Sequence, residues 1–179
     1  EIVARVTGET FHDWTRDRLF IPLGMTDTHF HDDHRRIVPG RAYSYQRVDD
    51  AYINGVLSFA NVGATSLFTT VEDFAKWTHN LDTGELGGAD TIALMHEVRP
   101  LNDDSGKPYA FGLVLREFRG LPVVEHGGGD AGFRSHAMRF PAHRLSVHVF
   151  GNLADLGPSV LARRVASVYL EDEMHAAEG

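Results

Sequence analysis

Cysteine is absent from the chain, which removes disulfides, thiol nucleophiles and thiolate metal sites and leaves the compartment open. Lysine is nearly absent, with Lys76 and Lys107 the only two. The arginines are scattered and the formal net charge is -8. No concentrated cationic surface is available for phosphates, which argues against a nucleic-acid partner. No apolar run approaches the roughly 20 residues a membrane helix needs, so no membrane span is expected. An initiator Met is missing too: the chain opens on Glu1-Ile2-Val3-Ala4-Arg5-Val6, which is no signal peptide. An apolar, helix-like start in mid-pattern leads us to expect a piece of a longer protein.

What is present is enough for one compact domain, since 179 residues with 42% hydrophobic and 23% charged content can bury a substantial core. Helical and strand periods separate along the chain. Ile2 to Val6 reads as a helix closed at Gly8, and Thr10 to Phe20 as a second, with Phe11, Trp14 and Leu19 inward. Residues 25–69 read as a long, wall-forming connection with turn signals at Pro39-Gly40, Asp49-Asp50 and Asn54-Gly55. Thr70 is a good N-cap for a helix whose inward face is read as Val71, Phe74, Ala75, Thr78 and Leu81. A shorter helix is expected around Asp90 to Val98, then a loop at Asn102-Asp103-Asp104-Ser105-Gly106. The period then falls to two: Phe111, Leu113 and Leu115 alternate, and Arg119-Gly120 turns the chain into Leu121 to Glu125. Phe133 to Phe140 and Leu145 to Phe150 form another pair, with His136 and His148 read as polar positions on one sheet face. Pro158 opens a last helix with Leu161, Val165 and Val168 inward. The expected fold class is α+β, an antiparallel sheet flanked by helices.

Four segments carry a family resemblance. Phe20-Ile21-Pro22-Leu23-Gly24-Met25-Thr26-Asp27-Thr28 and Gly63-Ala64-Thr65-Ser66-Leu67-Phe68-Thr69-Thr70-Val71-Glu72-Asp73-Phe74 resemble two internal signatures of the class C β-lactamase, D-alanyl-D-alanine carboxypeptidase and penicillin-binding esterase family. Tyr109-Ala110-Phe111-Gly112-Leu113 resembles the strand before that family's active-site strand. His126-Gly127-Gly128-Gly129-Asp130-Ala131-Gly132-Phe133 resembles its third catalytic motif. All four occur in the family's order, and the resemblance covers nearly the whole chain.

The resemblance implies acyl transfer through a Ser in a Ser-x-x-Lys motif, helped by the Tyr of a Tyr-x-Asn motif. No Ser of this sequence is followed three residues later by Lys, so the nucleophile is expected outside the chain. Tyr52-Ile53-Asn54 matches Tyr-x-Asn but follows the Pro-Leu-Gly-Met signature, where the family puts wall residues.

The resemblance makes His126 and Gly129 the catalytic candidates, His126 orienting substrate and the missing Tyr, and the Gly129 N–H serving as one of two oxyanion donors. Gly127 and Gly128 would let a planar acyl group lie against the backbone. Gly127 stands where the family usually has Thr, whose hydroxyl meets a β-lactam carboxylate, and this tilts the substrate toward esters or peptides. Asp130, Arg134, Tyr43 and Tyr45 are candidate substrate contacts. Seen alone, three glycines after a strand read as a tight turn.

The reading is thus a C-terminal fragment, residues 1–179, of one β-lactamase-like domain. It would act on a small-molecule or peptide substrate (a β-lactam, a D-Ala peptide or a small ester) without a cofactor. Two rivals stand beside it. His29-Phe30-His31-Asp32-Asp33-His34 fits the His-x-His-x-Asp-His zinc signature of metal-dependent hydrolases, but lacks the apolar strand before it and the Gly-Gly after it. A non-catalytic module keeping the fold is the other. A truncated sheet would leave Leu145, Val147 and Val149 on an open edge, so self-association or pairing with the N-terminal part is expected.

Overall fold

The computed structural model describes residues 1–56, 60–99, 102 and 108–175. The expected loop at 102–106 lies, apart from Asn102, outside them. Helix α1 (Ile2–Thr7) ends at Gly8, whose φ of 76° gives the left-handed cap that glycine adopts freely. Helix α2 (Phe11–Thr15) starts at the Thr10 cap and does not continue as one helix to Phe20. A π turn over Arg16–Phe20, with Ile21 N–H donating to Arg16 O at 2.9 Å, inserts a residue into the helical repeat. Thr15 and Phe20 are therefore buried, and Leu19 only partly. Phe20 packs beside Phe30, with ring centroids 5.9 Å apart.

Two short pairings build the wall. Strand β1 (His29–Phe30) pairs with β4 (Leu67–Phe68), and β2 (Ser44–Val48) with β3 (Ala51–Gly55), all antiparallel. The Asp49-Asp50 signal is the β2–β3 turn. Asn54 and Gly55 are instead paired strand residues, opposite Tyr45 and Ser44.

Helix α3 (Val71–Thr83) begins where Thr70 Oγ accepts from Asp73 N–H and ends on Gly84, φ 65°. Its inward face differs from the expected one. Val71 and Ala75 are exposed, while Asp73, Thr78, Asn80 and Leu81 are buried. The reason is Asp73, which accepts from the Asp27 N–H and from Thr28 Oγ1, both at 2.8 Å. Lys76 Nζ reaches the other carboxylate oxygen at 2.7 Å. This buried carboxylate fastens residues 27–28 to the start of α3 and so joins the two separated sequence signatures in space. Helix α4 spans Gly88–Met95, displaced by a few residues from the expected range.

The main sheet contains β5 (Val114–Phe118), β6 (Leu121–Asp130), β7 (Phe133–Phe140) and β8 (Leu145–Gly151), in that spatial order and all antiparallel. Phe111 and Leu113 precede β5 rather than belonging to it, and Phe111 is exposed. His136 and His148 fall on opposite faces, because His136 is opposite Val149 and Ala137 opposite His148. His136 faces the last helix, and His148 packs edge-on to Phe74 of α3, centroids 5.2 Å apart. Burial pushes His148 below the usual histidine value.

Helix α5 (Pro158–Tyr169) closes the core with β6 to β8, through Val123, Met138, Phe140, Val147, Ala162, Ala166, Leu170 and Met174. The expected inward residues of α5 are reversed. Ala162 and Ala166 are fully buried, while Leu161, Val165 and Val168 are exposed, Val168 to 76%. Small side chains let the helix approach Met138 and Phe140 closely, which turns the larger branched ones outward.

Candidate active site

The site is built on β6. Its first half is paired on both sides, since β5 covers it as far as Glu125, opposite Val114. Its second half, among the described residues, pairs only with β7. The β6–β7 hairpin turns through just Ala131 and Gly132, with Ala131 at φ 48°, so Asp130 and Phe133 form its hydrogen-bonded closing pair. Antiparallel alternation then directs the N–H and C=O of Gly128 and His126 toward β7, and those of Gly127 and Gly129 away from it. Among the described residues, the Gly127 and Gly129 N–H groups have no ladder partner.

The three glycines therefore lie within the ladder, and the turn falls after them. None of the three has a left-handed φ. A Cβ on Gly127 or Gly129 would find only ordinary contacts, the nearest atoms being His136 Nδ1 at 3.5 Å and Arg134 Nη1 at 3.4 Å. A Cβ on Gly128 would meet the Ser135 hydroxyl, the movable end of a side chain. The fold of this chain does not itself require glycine at 127 or 129. Hydrogen exchange is expected to alternate along the strand, fast at Gly127 and Gly129 and slow at His126 and Gly128. Uniform protection from 126 to 129, read by two-dimensional NMR, would contradict the open edge.

His126 stands at the head of this edge with its imidazole exposed. Its Nδ1 lies 2.8 Å from Gly127 O and its Nε2 3.1 Å from the Tyr109 hydroxyl. Behind it on the opposite face, buried Glu125 accepts from Arg163 Nη2 of α5 with both oxygens at 3.0 Å, and lies 3.2 Å from His136 Nε2. This carboxylate ties the site strand to β7 and α5 in one cluster.

The remaining candidates are distributed around the hairpin turn. Arg134 lies beside Gly129, but its Nη1 donates to Ala131 O and Phe133 O, at 3.2 and 2.7 Å. Its visible role is thus to brace the turn. Asp130 closes the hairpin. Tyr45 docks β2 against the loop after β8, its N–H donating to Asn152 O at 2.7 Å and its O accepting from Ala154 N–H at 2.9 Å. Tyr45, Tyr52, Asn152 and Leu153 line a shallow pocket of about 380 Å³. Tyr43 is exposed; Asn152 Nδ2 donates to its carbonyl at 2.9 Å, and the Arg41 guanidinium lies over its ring, 5.8 Å from the centroid.

Sequence reasoning missed Ser44, which is buried and bridges the wall to the turn. Its hydroxyl donates to Gly55 O at 2.8 Å and accepts from the Gly132 N–H at 3.0 Å. A Cβ on Gly132 would collide with the Tyr45 backbone. Nothing in the local pattern marks Ser44, whereas Tyr109 stood within a quoted motif without an assigned role.

The zinc string folds differently from a zinc site. His29 Nε2 and His31 Nδ1 approach to 3.4 Å, but His31 is buried and stacked on Phe68, centroids 4.5 Å apart, and His34 sits in an exposed turn. Among the described residues, no group of three or more His, Cys, Asp or Glu is placed to hold a metal ion. None of the described helices is long and apolar enough to cross a membrane.

Comparison with known proteins agrees with this geometry. The family model described as Beta-lactamase matches residues 1–170. A D-aminopeptidase of Gluconobacter oxydans (strain 621H) is 24% identical over 152 residues, covering 85% of this chain and 29% of that protein. Among solved structures, the octameric penicillin-binding protein homologue from Pyrococcus abyssi superposes with a TM-score of 0.81 at 20% identity, over 95% of this chain and 40% of that one. The D-amino acid amidase from Ochrobactrum anthropi SV3, complexed with L-phenylalanine amide, gives 0.76 at 21% identity, over 96% and 55%. The chain spans about three-tenths of the length of the curated relatives it matches.

Proposed function

The chain belongs to the beta-lactamase family of serine hydrolases, and from that premise we propose that it supplies the third-motif half of an acyl-transfer site whose serine lies in a segment outside residues 1–179. One observation carries this reading: Gly127 and Gly129 turn their N–H groups out of an edge that is unpaired among the described residues and that the fold does not require to be glycine. Such an edge accepts a flat acyl group at close range. The Gly129 N–H would stabilise the oxyanion of the tetrahedral intermediate together with the N–H of the absent serine. His126 would orient the substrate at the head of the edge, and Tyr45, with Tyr43 further out, would form the wall.

The substrate proposed is the amide or ester of a small, D-configured acyl group. The absence of a hydroxyl at Gly127 supports this, as do the D-aminopeptidase and D-amino acid amidase relatives. The zinc reading lacks a third ligand in place, and the non-catalytic reading leaves the glycine edge without a purpose. The free outer edge of β8 and the apolar outer stripe of α5 support self-association or pairing with the preceding segment. The archaeal homologue is itself octameric.

The test uses the product of the complete open reading frame with a D-alanine anilide, a nitrophenyl ester and a chromogenic cephalosporin. Gly129→Pro, which removes the N–H, is expected to lower kcat by roughly 100- to 1000-fold. Gly129→Ala keeps the N–H and adds only a Cβ to the substrate-facing edge, so it should lose activity, but far less than the proline variant. Undiminished turnover by the proline variant would overturn the oxyanion assignment.

A further inference from the structure

We propose that Tyr109 is a positioning residue that fixes the tautomer and direction of the His126 ring. The inference deepens the hydrolase reading and rests on it only for its catalytic consequence. A carbonyl oxygen can only accept, so the contact of 2.8 Å between His126 Nδ1 and Gly127 O places a proton on Nδ1. The neutral ring then carries its lone pair on Nε2, and the Tyr109 hydroxyl, 3.1 Å away, donates to it. The two rings meet at 61° with centroids 5.7 Å apart, so the phenol also holds the imidazole plane from the side.

Tyr109 can do this because it sits just before β5, in a bridge to Val114, at the point where β5 stops covering β6. One residue further along, the edge is open. The tyrosine therefore occupies the boundary between the structural and the open half of β6. Gly127 O, the ring's second partner, is free to accept because alternation turns it away from β7, but on an exposed ring it does not hold the tautomer without the hydroxyl opposite. The consequence is a ring whose Nε2 is an acceptor in its neutral form, aimed along the edge by a hydroxyl that has committed its only proton to it. Without Tyr109, the exposed imidazole would keep only its contact with the neighbouring Gly127 carbonyl.

The experiment is two-dimensional NMR of the chain labelled with 15N-histidine, above the titration range of the ring, with the His126 signals assigned from His126→Gln. A single Nδ1–H tautomer is expected, with Nε2 showing the shift of an unprotonated, hydrogen-bonded nitrogen. In Tyr109→Phe, which keeps the ring and its packing, a mixture of tautomers should appear. An Nε2–H tautomer in the parent chain, or an unaltered tautomer in Tyr109→Phe, would overturn the proposal. In the complete open-reading-frame product, Tyr109→Phe should lower kcat roughly tenfold or more, as expected when a group that orients the reacting substrate is mis-set, with KM little changed. A rise in KM alone would mean that Tyr109 only binds substrate, also against the proposal. The tautomer measurement reads the same whether or not the hydrolase assignment holds, so the two can fail separately.

Discussion

The 179-residue chain alone is expected to leave a chromogenic cephalosporin and a nitrophenyl ester unhydrolysed, with kcat about a millionfold below that of the complete open-reading-frame product. The magnitude follows from what is retained. Losing a serine nucleophile costs about that factor, and the remaining groups provide only residual stabilisation. In this chain even that remainder is reduced, because the Gly129 N–H is one donor where the chemistry employs two, and one such donor contributes about 100- to 1000-fold. No serine of the sequence has a lysine three residues later. Mixing the chain with a separately expressed preceding segment should restore turnover if the two halves associate. Saturable turnover by the chain alone, surviving repurification and lost in a His126 variant, would show that the nucleophile lies within it.

Replacing Asp73 by Ala is expected to destabilise the fold by about 3–6 kcal/mol, since two interior hydrogen bonds to a charged acceptor contribute about 1.5–3 kcal/mol each. The half-exposed Lys76 adds little. A loss of that size lowers the melting temperature of a chain this long by roughly 10 °C, read by calorimetry. A change below 2 °C would show that Asp73 does not hold the two signatures together.

The acid limb of stability should change as well. Burial alone would raise the Asp73 carboxyl, but the bonds from Lys76, Thr28 and the Asp27 N–H outweigh it and hold the group below its usual 3.8. Because the folded value is depressed, this stabilisation is present above 3.8 and fades as the pH falls below it. His148, lowered from 6.5 by burial, gives an earlier loss that begins below 6.5. Asp73→Ala should abolish the second step and keep the first.

The parts of the fold visible in the sequence are those set by local chemistry. Thr70, Gly84, Arg119-Gly120 and Pro158 each mark an end or a turn through their own backbone preferences, and the structure uses all of them. Faces were less legible, because they depend on what approaches. Alternation along β7 and β8 cannot reveal that His136 and His148 point opposite ways until the register is known. The apolar stripe Leu161, Val165 and Val168 has the right spacing for a core, yet two alanines occupy the contact because closeness to Met138 and Phe140 decides it. Asp73 turned inward against its polarity because two donors from a distant segment awaited it. For the candidate site, motif order pointed to His126 and the glycines, whereas Ser44 and Tyr109 contact partners 88 and 17 residues away, and no short pattern encodes such distances.

Three successive glycines in a strand also carry a thermodynamic burden. Each gives up about 0.5–1 kcal/mol of stability relative to a residue with a side chain, and at 127 and 129 the sheet gains nothing in return. A population of this gene selected for folding or solubility alone would be expected to drift away from glycine at those two positions first. Retention of glycine there over many generations would therefore record a selective pressure other than stability, and the pair could serve as a marker for whether the encoded protein is still under selection for chemistry.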